Sequence, residues 1–266
     1  MTAPWGIDAA LFYGTTVAAE SWTEMDQVKE LEPNIEIDEA DATKRAHGGW
    51  KASVGKLKQL TFSFTHPYDT ALAAFIALQA SFFDDTPIAL ASFSGDYNAS
   101  LTVIRGIKAD CCVTKLAPTQ NADNIQVAEI EAEPTPSTTP PAWWITCLTA
   151  LPAEAETVNA NYIDLGPGTP VGTVKIAAPA LTTAELPDTQ TMIYLLQTDD
   201  NAAFSTPTTL VAAAITQTGA AGAGDAAETY SVAMPAGAQR YLRVTITKSG
   251  VGDASAKKAR FSVVMT

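Results

Sequence analysis

The sequence predicts an all-β fold in two successive units: strands broken by one helix in the first, and a small β-sandwich, jelly-roll-like or Ig-like, in the second. Three observations predict it. Apolar and polar residues alternate at Ile35 to Asp38 and again at Leu60 to Thr65, which is the two-residue period of a strand. One stretch, DTALAAFIALQASFF from Asp69, has helical spacing instead. Beyond Asn161, seven short apolar runs are separated by turns rich in Gly, Pro and Asp.

In chain order, IEIDE and LTFSFT are the first expected strands. The helix follows, with Leu72, Phe75, Ile76 and Phe82 on its buried side and Asp69 or Thr70 capping its first turn. IALASFS, LTVIRGIKADCCVTK and NIQVAEIEAE complete the first unit's strands. Glu133 to Ala142, EPTPSTTPPA, holds four prolines and favours an extended connection outside any sheet interior. Trp143, Trp144 and Ile145 are read as the first unit's last anchor, which puts the boundary near residue 148 and gives units 1–148 and 149–266. The second unit's strands are YIDLG, VGTVKIA, TMIYLLQT, TTLVAAAI, TYSVAM, RYLRVTIT and ARFSVVM.

Composition narrows the function. At 266 residues and 47% hydrophobic content the chain can bury a real core. Its 16 basic and 29 acidic residues give a formal charge of −13, which repels a phosphate backbone. The acid is concentrated early: 9 basic and 19 acidic residues fall in 1–148, against 7 and 10 in 149–266. The start, MTAPWGIDAALFYGTT, reads as lacking an export signal, and no run is apolar enough to span a bilayer, so no membrane role is expected.

Chemistry has little raw material. Cys111 and Cys112 are adjacent and on a strand point to opposite faces; with Cys147 they imply no disulfide framework. His47 and His66 lie in no metal-binding spacing, so no metal, cofactor or catalytic residue is expected. His66, before Pro67, reads as a capping or surface residue. GPGTPVG and GAAGAG lack the Lys and the following helix of a phosphate loop and read as plain loops. Asp84-Asp85, Asp199-Asp200 and Glu36/Asp38 read as solvated pairs, with turn formation sufficient to explain Asp199 and Asp200. No GxSxG is present, and the chain is not expected to be an enzyme. One acidic pattern is more informative. In VAEIEAE, Glu129, Glu131 and Glu133 share one strand face, and Ala128, Ile130 and Ala132 share the other.

The order IEIDEADATKR, GGWKASVGKLKQLTFSF, YDTALAAFIALQASF, DDTPIALASFSG, IKADCCVTKLAPTQNADNIQVAEIEAEPT and PPAWW resembles the tail tube proteins of long-tailed bacteriophages over roughly residues 20–148. The resemblance implies a β-sandwich with a flanking helix, six copies of which form a ring with a continuous inner β-barrel, the rings stacking into a virion tail assembled in the host cytoplasm. It implies self as the main partner, with the tape measure, tail terminator and distal tail proteins beside it, and DNA passing through unbound during ejection. It further implies that the loop carrying His47, Gly48, Gly49 and Trp50 reaches a neighbouring ring. Gly48 and Gly49 would supply freedom before assembly and Trp50 an apolar anchor after it, although Trp50 is equally suited to its own subunit's core. Glu129, Glu131 and Glu133, or alternatively Glu36 and Asp38, are the candidate lumen acids. The second unit resembles phage capsid-decoration modules and is expected on the tube exterior. The alternatives are a capsid decoration or cement protein, and a carbohydrate-binding adhesion module using Trp143 and Trp144.

Overall fold

The computed structural model describes residues 9–17, 22–41, 53–120, 126–135, 140–168 and 170–265, with backbone alone at 37–41, 53–58 and 120. The chain is mostly antiparallel β-structure with one helix among the described residues. It divides into two compact units: residues 1–92 with Ile107–Pro141, and Phe93–Gly106 with Ala142–Thr266. The expected boundary near residue 148 therefore moves. Residue 148 lies inside strand β8 (Ala142–Ala150), which pairs from Trp143 to Ala150 with β16 (Lys258–Met265). Trp143 to Ile145 thus belong to the second unit, because the register Trp143↔Met265 to Ala150↔Lys258 ties them to the last strand.

Unit 1 contains β1 (Ala10–Gly14), β2 (Thr23–Glu24), β3 (Lys29–Asp41), β4 (Ser53–Pro67), α1 (Ala73–Phe83), β5 (Ile88–Phe93), most of β6 (Ile104–Gln120) and β7 (Gln126–Pro134). Its strands run in the order β3-β4-β7-β6-β5-β1-β2. All six residues of β5 are buried, as an IALASF strand with no charge permits. Along β4 and β7 the alternation predicts the faces correctly. Leu60, Phe62 and Phe64 join Ala128, Ile130 and Ala132 in one core with Ile107, Ala109 and Cys111 of β6.

The helix lies on that core through Phe75 and Leu78, with Leu72 and Phe82 packed at its margin. Ile76, expected beside them, is 51% exposed. The segment is apolar almost all round, so its spacing does not single out the face that meets the sheet. Neither Asp69 nor Thr70 caps it. Leu72 occupies the N-cap position without a side-chain bond, and the Asp69 carboxylate accepts the Ala71 N–H at 2.9 Å in the turn before it. His66 is also placed differently from the expectation: it is buried at 1% exposure, stacked on Phe75 at 6.0 Å, with Nδ1 2.9 Å from the Pro67 carbonyl. It shares the inward parity of Phe62 and Phe64, which the following proline obscures in the sequence.

Unit 2 is a sandwich. One sheet runs β14 (Glu228–Ala233)-β11 (Thr173–Ala178)-β16-β8, and the other β10 (Ile163–Asp164)-β15 (Tyr241–Lys248)-β12 (Thr191–Asp199)-β13 (Thr208–Thr218), with β9 (Thr157–Asn159) on β15. All seven expected strands are present. Registers stack like with like: Cys147↔Phe261↔Ile176 and Ile145↔Val263↔Val174 in the first sheet, Tyr194↔Ile246 and Leu196↔Val244 in the second. These rows meet in one core. The loop GAAGAG is a loop, as expected. Gly224 has φ +72°, and a Cβ there would collide with the Leu181 carbonyl, with which Asp225 forms an isolated bridge.

Three buried polar groups hold unit 2's turns. Asp199, expected to be solvated, is 1% exposed and accepts the N–H groups of Asn201 (3.0 Å) and Thr206 (3.1 Å). Those bonds hold its carboxyl below the usual range, the Asn201 N–H contributing most. Its turn-forming role is as expected, and its exposure is not. Gln217 donates to the carbonyls of Pro179 (2.9 Å) and Ala226 (2.8 Å) and accepts from the Tyr194 hydroxyl (2.9 Å). Lys248 is 2% exposed and donates to the carbonyls of Val251 (2.7 Å) and Gly252.

Candidate functional site

The acidic residues of unit 1 acquire a geometry once register is known. Directly opposite residues in an antiparallel pair lie on one face. Glu32 of β3 faces Ser63 of β4, Ser63 faces Glu131 of β7, and Glu131 faces Lys115 of β6, making one row across four strands. Beside it, Thr65 faces Glu129. On β3, Glu36 faces Gln59 and Asn34 faces Thr61, while Pro33 and Ile35 face the core residues Phe62 and Leu60. Glu133 shares the parity of Glu131 and faces Cys112. The result is a polar sheet face carrying Glu32, Glu36, Glu129, Glu131 and Glu133 among Ser, Thr, Asn and Gln. The helix-bearing core occupies the opposite face.

The face has an order of its own. Lys115 Nζ sits 2.9 Å from Glu131 and 3.5 Å from Glu129, and its bond to Glu131 raises its proton affinity. Such exposed pairs add little stability. Their consequence is electrostatic: the ammonium is matched by two carboxylates. Asn34 Nδ2 donates to Glu36 at 2.9 Å, which orients that carboxylate along the strand. Lys29, opposite Thr65, and Lys58, opposite Ile37, are further cations paired into these registers.

Of the expected site residues, Glu36 and the Glu129, Glu131, Glu133 set prove to be parts of one surface and not rival candidates. Asp38 falls in the register shift between Ile37 and Glu39, and its side chain is not described. His47, Gly48, Gly49 and Trp50 lie outside the described residues. Sequence reasoning missed Glu32 and Lys115. Glu32 stands next to a shift between Lys29 and Glu32 that breaks the alternation, and Lys115 follows a shift at Val113. Neither irregularity has a residue signature at those points.

Of the three cysteines, two are shut in and Cys112 is half-buried. Burial pushes the Cys111 thiol far up and the Cys147 thiol up to about 12, so neither is a nucleophile at neutral pH. Among the described residues no group of three or more His, Cys, Asp and Glu could hold a metal ion. The Trp143 and Trp144 pair does not form a platform: Trp144 is 2% exposed beneath Lys175, whose Nζ lies 4.9 Å from its ring centroid, and Trp143 alone is 38% exposed.

No family model and no curated protein matches the chain. Among solved structures, the chain is similar to the Dit (gp 19.1) protein of phage SPP1, described as a paradigm of the hub adsorption apparatus in Gram-positive infecting phages. The TM-score is 0.29 with 8% identity, covering 97% of this chain and 98% of that one. A structure of infectious bursal disease virus, Gx strain, aligns with a TM-score of 0.24 and 9% identity over 97% of this chain and 56% of that one. Likeness at these scores carries no weight for function, which rests on the chain's own residues.

Proposed function

We infer that the chain is a structural virion protein, the major tail tube subunit of a long-tailed phage, whose hexameric rings stack around a lumen through which DNA passes. The observation that carries this reading is the polar face of unit 1, with five glutamates spread over β3 and β7. A conduit for a polyanion needs a wall that offers no ion pairs, and a like-charged wall supplies it, acting within the roughly 8 Å screening length of physiological salt. Lys115, held between two carboxylates, fits such a wall. Two further features favour assembly from copies. Strand β3 has 13 residues and, among the described residues, pairs with β4 alone, leaving an edge for another strand. Helix α1 carries no charge and leaves Phe83 69% exposed.

In this reading the protein is no enzyme and needs no cofactor, the loop of His47 to Trp50 contacts the next ring, and unit 2 decorates the tube exterior. The tape measure, terminator and distal tail proteins are its further partners. Electron microscopy of the purified chain and of virions bearing it tests the reading. Rings or tubes with an axial hole, and antibody label along tails, are expected. Monomers at every concentration together with label on capsids would overturn it.

A further inference from the structure

Unit 2 holds a cleft of about 350 Å3 lined by Thr102, Val103, Arg105, Asn161, Tyr162 and Asp164. Its walls come from stretches far apart in sequence. Strand β10 pairs Ile163 with Leu242 and Asp164 with Tyr241, and Ile163 is fully buried, so Tyr162 and Asp164 turn outward on either side of it. Tyr162 is 42% exposed and is supported from behind, edge-on to Tyr241 at 5.3 Å and tilted against Phe204 at 6.2 Å. A half-exposed ring fixed in this way against the cleft can serve as a stacking platform that loses little entropy on binding.

The polar groups around it include both donors and acceptors. Arg240 grips the Asp164 carboxylate through two bonds of 2.8 Å, and the same carboxylate accepts the Gly166 N–H at 2.8 Å. Arg105 reaches only the Asp164 main-chain oxygen, at 3.3 Å. Arg240 is therefore matched by a carboxylate and Arg105 is not, which leaves a local positive charge in a chain of net charge −13. Asn161 Nδ2 is engaged with the Leu101 carbonyl at 2.6 Å, which fixes the amide and leaves its oxygen for a hydroxyl donor.

We propose that this cleft binds an acidic saccharide. The C–H face of a pyranose ring stacks on Tyr162, its carboxylate is received by Arg105, and Thr102 and the Asn161 oxygen meet ring hydroxyls. A planar guanidinium suits a carboxylate because it presents two parallel donors. The assignment stands on unit 2 alone and holds whether or not unit 1 builds a tube.

The test is calorimetric titration of the full chain with trigalacturonate, with a hyaluronan tetrasaccharide, and with the methyl ester of trigalacturonate, which keeps the rings and removes the charge. At least one acid is expected to bind, with its neutral form about tenfold weaker. Tyr162→Ala is expected to weaken binding about tenfold and Tyr162→Phe to keep it within about threefold, separating lost stacking from lost folding. Arg105→Ala is expected to abolish the difference between acid and ester. The proposal is overturned if neither acid binds up to about 10 mM, if the ester binds as well as the acid, if Tyr162→Ala binds like the parent, or if a DNA tetranucleotide binds as tightly as the saccharide.

Discussion

Replacing Gln217 with Leu should be among the most damaging single changes in unit 2. Gln217 and Tyr194 are both fully buried, and the amide makes three bonds: one accepted from the Tyr194 hydroxyl at 2.9 Å, and two donated to Pro179 and Ala226 at 2.9 and 2.8 Å. Leucine fits the volume and makes none of them. It strands two loop carbonyls and leaves the hydroxyl with only the Met192 sulfur, at 3.3 Å. Pro179 is half-buried and Ala226 exposed, so at about 1 kcal/mol for each of the three lost bonds the loss is roughly 3 kcal/mol. Tyr194→Phe removes one bond and leaves one amide oxygen bare, so it should cost about 1–2 kcal/mol. With a urea slope of about 2 kcal/mol/M, the unit 2 transition should fall by about 1.5 M for Gln217→Leu and by under about 1 M for Tyr194→Phe. Urea titration followed by circular dichroism, with two-dimensional NMR to assign each transition, reads both. Equal losses from the two variants, or a Gln217→Leu shift within error of zero, would refute the claim that this amide ties β13 to the loops at 179 and 226.

Three further outcomes are expected. Glu129→Lys, Glu131→Lys and Glu133→Lys combined should turn a face that ignores duplex DNA into one that binds it, with log K falling against log salt at a slope of about −2.7 for three phosphate contacts; anisotropy between low and physiological salt checks this, and a flat response counts against an open acidic face. Asp164 and Asp253 are held below their ordinary 3.8, by the Arg240 and Ser255 side chains respectively, as is Asp199 by the Asn201 N–H. Folded values lower than unfolded ones mean stability that is full above the ordinary value and lost as pH falls through the lowered ones, so unit 2's urea midpoint should hold from pH 7 to 5 and drop below pH 4. Phe83→Glu with Ile76→Glu should raise the concentration needed for self-association by about 30-fold or more, since burying one such side chain yields roughly 2 kcal/mol; sedimentation velocity would show it, and unchanged association would remove the helix from the interface.

The sequence made strands legible wherever alternation met a clean register. Leu60, Phe62, Phe64 and the three alanine and isoleucine residues of β7 point inward as their period requires, and all seven runs of unit 2 became strands. It was silent where backbone irregularity or long-range pairing decides. Strand β8 follows two prolines and reads as a tail, yet its register with β16 brings Ile145 and Cys147 into the unit 2 core. The faces of α1 were ambiguous because leucine, isoleucine and phenylalanine surround it. His66 gave no sign of burial because a proline ended its strand. The acid face was half legible: alternation placed Glu129, Glu131 and Glu133 together, but only cross-strand register joins them to Glu32 and Glu36. The unit 2 cleft was invisible, since residues near 103, 162 and 240 meet only after folding.

The excursion of residues 93–106 into unit 2 also bears on how such a chain can be taken apart. A module appended at a terminus can be gained or lost through a single genetic crossover. Here two stretches would have to depart together, because a stop codon after the proline-rich segment leaves residues 94–103 without the bonds that Ser100 and Leu101 make to Leu148 and Asn161. Fragments meant to isolate the first unit need that excursion replaced by a short bridge from Ser92 to Ile107, and simple truncations should precipitate.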